Sequence, residues 1–210
     1  MIGQRKNNLG DFEYLRNRDV RKLFKHLLSV EFNNMPFFKY ATALAALLKE
    51  EFFVNALIVG QATKDTDITW FIKDYSTHLD FVSDDFSQFT KDSDLYQEVN
   101  FVQTDFLKFK PQIKYDLVIV IEDLDKVNEN LQDYIIKIGE ITETDAKIVL
   151  FLRYDLQATE KSEQIIYFKS TEQIKDCLPF AIENQMEIKN YEKGHLAKID
   201  IVLGCRKSKH

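Results

Sequence analysis

The sequence predicts a doubly wound α/β fold, and three observations support this. From residue 54 onward, segments typical of strands alternate with segments typical of helices. The run Tyr115-Asp-Leu-Val-Ile-Val-Ile-Glu-Asp-Leu-Asp-Lys-Val127 lacks polar alternation, as a parallel strand covered on both faces requires. Two final strand-like runs are joined by a short connection, which indicates an antiparallel hairpin at one edge of the sheet.

The strand-like segments can be placed in order along the chain. Five of them are expected to be parallel and occupy residues 55–60, 78–84, 99–104, 115–121 and 146–154. The fourth and fifth are separated by an amphipathic helix whose apolar positions are Val127, Leu131, Tyr134, Ile135, Ile138 and Ile141. Shorter helices are predicted from about residue 67 and over 171–178. The last two strands, 180–189 and 198–206, complete the predicted sheet.

The N-terminal third is predicted to be helical. Apolar residues repeat at helical spacing in two stretches, Val20, Leu23, Phe24, Leu27 and Leu28, then Ala41, Leu44, Ala45, Leu48 and Phe52. The segment 33–36, which contains Pro36, separates them. We therefore expect residues 1–53 to form a helical cap or lid on an α/β core spanning 54–210, with no linker between the two.

Composition limits the class of protein. The chain has 210 residues, of which 45% are hydrophobic and 17 are Phe, so it can bury a full core as one domain. Neither an apolar run of about 18–20 residues nor a signal-like start is found, which predicts a cytoplasmic protein without a membrane segment. Cys177 and Cys205 are expected to be two buried thiols in a reducing compartment.

Charge is unevenly distributed between the N-terminus and the rest of the chain. Residues 1–30 hold seven basic and three acidic side chains, a net charge of +4, and the total of −6 leaves −10 for the remainder. The acidic remainder makes nucleic acid an unlikely ligand. The basic N-terminal helix could contact a partner protein, although a solvated helix face is the simpler interpretation.

One motif resembles a large enzyme family. The aromatic-Asp-Leu-Val-Ile run that begins at Tyr115, followed by Glu122 and Leu124, resembles the fourth strand of class I S-adenosylmethionine-dependent methyltransferases, with Asp125-Lys126 where Glu-His is common. The resemblance extends over roughly residues 54–206. It implies a seven-stranded sheet in the order 3-2-1-4-5-7-6, with the last strand antiparallel between the fifth and the sixth.

The resemblance also implies a site for S-adenosylmethionine at the carboxyl ends of the strands. The first glycine of the family's loop is Gly60, while Ala62 and Lys64 stand at the other two glycine positions and Ile58 at the usual acidic position. The remaining positions implied to contact the cofactor are Asp84 or Asp85 for the ribose hydroxyls, Asp105 and Phe106 for adenine, and Glu122 beside the methyl group.

Catalytic residues have no distinctive signature in this sequence. Glu122, Asp125 and Tyr154 lie near the strand ends where a base could act, and the histidines lack the spacing of a metal site. Two functions follow from the resemblance. The first is methyl transfer to a small molecule or biosynthetic intermediate. The second is a catalytically inactive, methyltransferase-like subunit that binds or regulates a partner protein.

Overall fold

The computed structural model describes residues 36–49, 51–60, 68–87, 98–123, 127, 129–155, 172–192 and 195–207. The predicted helix at 20–28 and the loop 61–67 lie outside these residues. Helix α1 spans Pro36–Leu48, α2 Thr69–Ile72, α3 Leu131–Ile141 and α4 residues 172–177. The strands are β1 Phe53–Gly60, β2 Ser76–Ser83, β3 Val99–Gln103, β4 Tyr115–Asp123, β5 Thr142–Asp155, β6 Ala181–Glu192 and β7 His195–Arg206.

The seven strands form one sheet in the order β3-β2-β1-β4-β5-β7-β6, as predicted. The first five are mutually parallel, and β7 is antiparallel to both of its neighbours. Val202 pairs with Phe151 on β5 and with Met186 on β6, which places β7 between these strands. The doubly wound fold with a terminal antiparallel strand is therefore confirmed.

Several strands are longer than the apolar pattern predicted. Strand β5 starts at Thr142 rather than at residue 146, and its register against β4 shifts between Tyr115 and Leu117. Asp145 has a φ of 66° within this irregularity. A bulge of this kind lets polar residues extend a strand through backbone pairing, and such an extension leaves no hydrophobic alternation in the sequence.

The sheet is covered by apolar side chains on both faces. One face packs against α1 and α2, through a cluster that includes Leu44, Leu48, Phe71, Ile119 and Phe151. The other face packs against α3 and α4, through a cluster that includes Tyr134, Ile138, Val120, Ile174 and Leu203. The unbroken Val/Ile run of β4 is thus explained, since successive side chains enter two different cores.

Two predictions about individual side chains were wrong. Phe52 is 60% exposed and does not continue the apolar face of α1, because the helix ends at Leu48 and Lys49 turns the chain away with a φ of 49°. Cys177 is exposed on α4, whereas Cys205 is buried in β7 as predicted. Cys177 is the last residue of this short helix, whose fully buried side chain is Ile174.

Within the ranges described above, none of the helices combines the length and apolar character needed to cross a membrane.

Candidate functional site

The carboxyl ends of β3, β2, β1 and β4 lie side by side at one edge of the sheet. Gly60 pairs with Ile121, and Ser83 pairs with Gln103, so these strands finish at similar heights. The backbone N–H of Thr104 donates to the Ser83 carbonyl at 2.9 Å, which joins the two chain segments just beyond the strands. Ligands of open parallel sheets bind where such ends meet.

Gly60 is the residue at the end of β1 whose identity the structure constrains most strongly. Its φ is 122°, and a Cβ added there would lie 1.9 Å from the Ile121 carbonyl oxygen and 3.2 Å from Cγ of Glu122. Only glycine accepts this conformation and this close approach of β4. Gly60 therefore makes room for the Glu122 side chain directly beside the strand end.

Ile58, Ala62 and Lys64 are the other positions of the resemblance near the end of β1. Ala62 and Lys64 lie outside the described residues. Ile58 is fully buried in the core cluster shared with α1. Strand β1 thus places an apolar side chain where the resemblance implies a carboxylate.

Asp84 and Asp85 follow β2 and are both exposed. The Asp85 carboxylate accepts hydrogen bonds from the Ser87 backbone N–H at 2.7 Å and from the Ser87 hydroxyl at 2.9 Å. These two hydrogen bonds hold the pKa of Asp85 below its usual value, and the bond from the Ser87 backbone N–H has the larger effect. The carboxyl group is therefore kept ionised, and each oxygen keeps a further lone pair that could accept from a ligand.

Asp105 follows β3 and begins the short 3₁₀ turn Phe106–Lys108. Its Oδ1 accepts from the Leu107 backbone N–H at 2.8 Å, and Lys108 Nζ lies 3.9 Å from its Oδ2. Phe106 is buried, with its ring centroid 5.3 Å from that of Tyr134. Asp105 thus has a local capping role, and Phe106 packs into the core below it.

Glu122 is the buried acid of the site. It is 3% exposed, and its Oε1 lies 3.5 Å from the Tyr134 hydroxyl, which donates to it. Tyr134 belongs to α3, the helix that follows β4. The sequence suggested only a core role for Tyr134, because its spacing matches the apolar stripe of the helix. The available signal was its hydroxyl, since a buried tyrosine usually requires a polar partner.

The Tyr134 hydroxyl is influenced by acids from three strand ends. Burial, followed by the charges of Glu122, Asp105 and Asp84, holds the pKa of this hydroxyl well above its usual value. These carboxylates come from the ends of β4, β3 and β2. Three of the predicted acids therefore lie within electrostatic range of one buried phenol.

A second polar network was not predicted. The Tyr40 hydroxyl donates to Asp200 Oδ2 at 2.7 Å, and Arg153 donates to Asp200 Oδ1 at 3.2 Å and to the Tyr40 oxygen at 2.7 Å. Asp200 is fully buried in β7. Arg153 pairs in register with Asp123, so this network lies at the level of the carboxyl end of β4 and fastens α1 to the sheet.

The other two catalytic candidates have no described side chain. Asp125 lies outside the described residues, and Tyr154 is described only as a backbone position in β5. In the parts of the chain with described side chains, no group of three or more His, Cys, Asp or Glu residues is arranged to hold a metal ion.

Comparison with solved structures identifies proteins of similar fold. The N-methyltransferase NodS from Bradyrhizobium japonicum WM9 superposes with a TM-score of 0.63 at 13% identity, covering 84% of this chain and 98% of NodS. A second NodS structure, in complex with S-adenosyl-L-homocysteine, has the same TM-score at 11% identity, covering 91% of this chain and all of NodS. The [4+2]-cyclase SpnF superposes with a TM-score of 0.57 at 13% identity, covering 82% of this chain and 81% of SpnF.

By sequence, no protein-family model and no curated protein matches the chain significantly. Identities this low establish the fold and leave the reaction open. The strand order, the antiparallel β7 and these superpositions show that the chain has the fold of the class I S-adenosylmethionine-dependent methyltransferases.

Proposed function

We propose that this protein transfers a methyl group from S-adenosylmethionine to a small molecule or biosynthetic intermediate. The observation that carries the proposal is the placement of Asp84, Asp105 and Glu122 at the carboxyl ends of β2, β3 and β4, with Gly60 at the end of β1 beside Glu122. Taken singly, Asp84 and Asp105 are exposed strand-end residues, whereas Glu122 is buried. Three such acids at neighbouring strand ends match the polar requirements of a nucleoside, which presents hydroxyl and amino donors.

Residues at the strand ends can bind the ribose and the adenine of S-adenosylmethionine. Asp85 or Asp84 would accept from the two ribose hydroxyls, and Asp105 from the adenine amino group, with Phe106 beneath it. The cofactor supplies the activated methyl group on its sulfonium. The protein's own contribution is to align the acceptor and to exclude water, with Glu122, Asp125 or Tyr154 available where the acceptor must lose a proton.

Charge supports a small acceptor rather than a nucleic acid. The chain outside residues 1–30 carries a net charge of −10. A phosphate backbone would require clustered Lys and Arg side chains, and the site edge instead presents carboxylates. Residues 1–53 are proposed to cover the acceptor as a lid, and α1 already contacts the sheet through the Tyr40 network.

Calorimetric titration with S-adenosylhomocysteine tests the proposal. We expect the native chain to bind, and the double variant Asp84→Ala/Asp85→Ala to bind more weakly by about 1.5–3 kcal/mol, the usual worth of hydrogen bonds to a charged group. Glu143→Ala is the matched control, because Glu143 is an exposed carboxylate near the amino end of β5. It should titrate like the native chain.

Two results would contradict this proposal in different ways. If the native chain gives no heat of binding at millimolar S-adenosylhomocysteine, the proposed cofactor is rejected. Equal affinity of the native chain and the Asp84/Asp85 double variant would keep the cofactor and reject the ribose role of these carboxylates.

A second candidate function is supported by Ile58. This residue is fully buried and apolar at the position where the resemblance implies an acid, and Ala62 and Lys64 replace two loop glycines. A chain altered in this way would fit a catalytically inactive subunit that binds or regulates a partner protein through the basic N-terminal helix. Cofactor binding distinguishes the two functions, since this alternative does not require it.

A further inference from the structure

The contact between Tyr134 and Glu122 connects a helix to the strand end at the centre of the proposed site. Tyr134 is 3% exposed, and its ring is fixed on one side by Phe106, with ring centroids 5.3 Å apart. Its hydroxyl lies 3.5 Å from Glu122 Oε1. A buried ring held in this way leaves the hydroxyl little freedom to move, so the carboxylate receives a donor from a fixed direction.

Gly60 leaves space for the stem of the Glu122 side chain. A Cβ at Gly60 would approach Glu122 Cγ to 3.2 Å, so a side chain at this position would crowd the glutamate. Glu122 therefore has the end of β1 beside its stem and the hydroxyl carried by α3 at its carboxylate. Neither contact depends on the exposed acids that follow β2 and β3.

We infer that Tyr134 is a positioning residue for Glu122: it holds the carboxylate beside Gly60, where that carboxylate receives a donor group of the bound ligand. This inference rests on the proposed function, because the ligand is the nucleoside cofactor or the acceptor placed next to it. When Glu122 is ionised, its carboxylate only accepts hydrogen bonds, so the group that it then receives is an amine or a hydroxyl.

The electrostatic surroundings keep Tyr134 suited to this task. Its hydroxyl stays protonated, and so remains a donor, because burial and the nearby carboxylates oppose its ionisation. The charged groups that oppose its ionisation are Glu122, Asp105 and Asp84, and Lys108 lies beside Asp105. Without the Tyr134 hydroxyl, Glu122 would lose a hydrogen-bond donor while Asp105 and Asp84 remained nearby.

The experiment uses Tyr134→Phe, which keeps the ring against Phe106 and removes only the hydroxyl. We expect its affinity for S-adenosylhomocysteine to fall roughly fivefold at neutral pH, which is less than for a short hydrogen bond to a charged group because the contact is 3.5 Å long. As the pH is lowered, affinity should begin to fall at a higher pH than in the native chain, because the ionised carboxylate has lost a stabilising donor. A packing role alone would not move this pH profile.

A double-mutant cycle shows whether Tyr134 acts through Glu122. In the Glu122→Ala background, which removes the acceptor of the Tyr134 hydroxyl, Tyr134→Phe should change affinity by less than about twofold, because contacting residues that share one function are not additive. Tyr115→Phe is the control, since Tyr115 is also buried and donates to a carboxylate, Asp80, but at the opposite end of β4. It should leave affinity and its pH profile unchanged.

The outcomes separate this inference from the proposed function. A native chain that binds S-adenosylhomocysteine, together with a Tyr134→Phe variant of native affinity and native pH profile, would overturn the positioning role and leave the proposed function standing. An equal effect of Tyr134→Phe with Glu122 present or replaced would also overturn it. A native chain that does not bind at all would overturn the proposed function, and the positioning role with it.

Discussion

At the scale of single residues, Gly60 shows how one backbone conformation fixes the geometry of the site. Its φ of 122° turns the chain at the end of β1, and the missing side chain lets the Ile121 carbonyl and the Glu122 stem approach. A glycine at the end of a first strand is commonly interpreted as space for a ligand. Here the space is also used by β4, so Gly60 is required by the fold whether or not the cofactor binds.

Substitution of Gly60 should therefore be costly without any ligand. We expect Gly60→Ala to lower the free energy of unfolding by about 3 kcal/mol or more, because the new Cβ combines backbone strain with overlap onto a neighbouring carbonyl. Urea unfolding followed by circular dichroism measures this. A change below about 0.5 kcal/mol would show that the strand end can relax and that the close approach is not essential.

Gly139 provides the matched control for this substitution. It lies inside α3, and a Cβ added there meets nothing within 4 Å. Gly139→Ala should raise the free energy of unfolding by up to about 1 kcal/mol, because alanine loses less backbone entropy in a helix. Opposite signs for the two Gly→Ala changes would confirm that contact with β4 decides the effect at Gly60.

At the scale of elements, the sequence predicted the identity and order of the strands well and their lengths less well. The Val/Ile run of β4 and the short connection before β7 each have a physical cause that is local in sequence, namely burial on both faces and hairpin closure. The start of β5 has no such local cause. Its polar residues are held by backbone pairing across a bulge, and this pairing depends on a partner strand far away in sequence.

The difference between local and long-range causes also explains which residues of the candidate site could be predicted from the sequence. The acids at the carboxyl ends of β2, β3 and β4 could be identified because parallel strands place these ends together. Tyr134 and the network of Tyr40, Arg153 and Asp200 could not, because their importance arises from contacts between elements that pack together in three dimensions. Tyr40 and Asp200 are separated by 160 residues.

The connection between β1 and α2 is the element that decides between the two candidate functions. We expect Ala62→Gly/Lys64→Gly to bind S-adenosylhomocysteine within about threefold of the native chain if the existing loop already admits the cofactor, since glycine would then add only backbone freedom. Calorimetric titration of both proteins gives the answer. Lys110→Gly, in the exposed segment before β4, controls for loss of one lysine charge.

The opposite result would favour the inactive subunit. If the Ala62 methyl group and the Lys64 stem fill the space for the ligand, the native chain should fail to bind and the double variant should gain measurable affinity. Gain of binding on restoration of the glycines would thus overturn the proposed function of the native protein.

At the scale of the whole molecule, α1 belongs to the same structural unit as the sheet. Its buried residues share one core cluster with β1, β4, β5 and α2. A Cβ at Gly204 in β7 would lie 2.9 Å from Leu47, and the Tyr40 network adds a buried polar connection to β5 and β7. We therefore expect α1 and the sheet to unfold together in one cooperative transition.

Leu44→Ala tests this cooperativity, because Leu44 is fully buried on α1. We expect a loss of about 2–5 kcal/mol in the free energy of unfolding, from the lost apolar contact and the cavity left behind. The loss should be the same by circular dichroism, which reports all helices and strands, and by fluorescence of the single tryptophan, Trp70, which lies in α2. Ala46→Ser, on the exposed side of α1, should change both by less than about 0.5 kcal/mol. The contradicting result is a fluorescence transition that stays at its native midpoint in Leu44→Ala while the circular dichroism transition moves. It would show that α1 folds as a separate unit, since only an independent helix could lose stability without destabilising the core that surrounds α2.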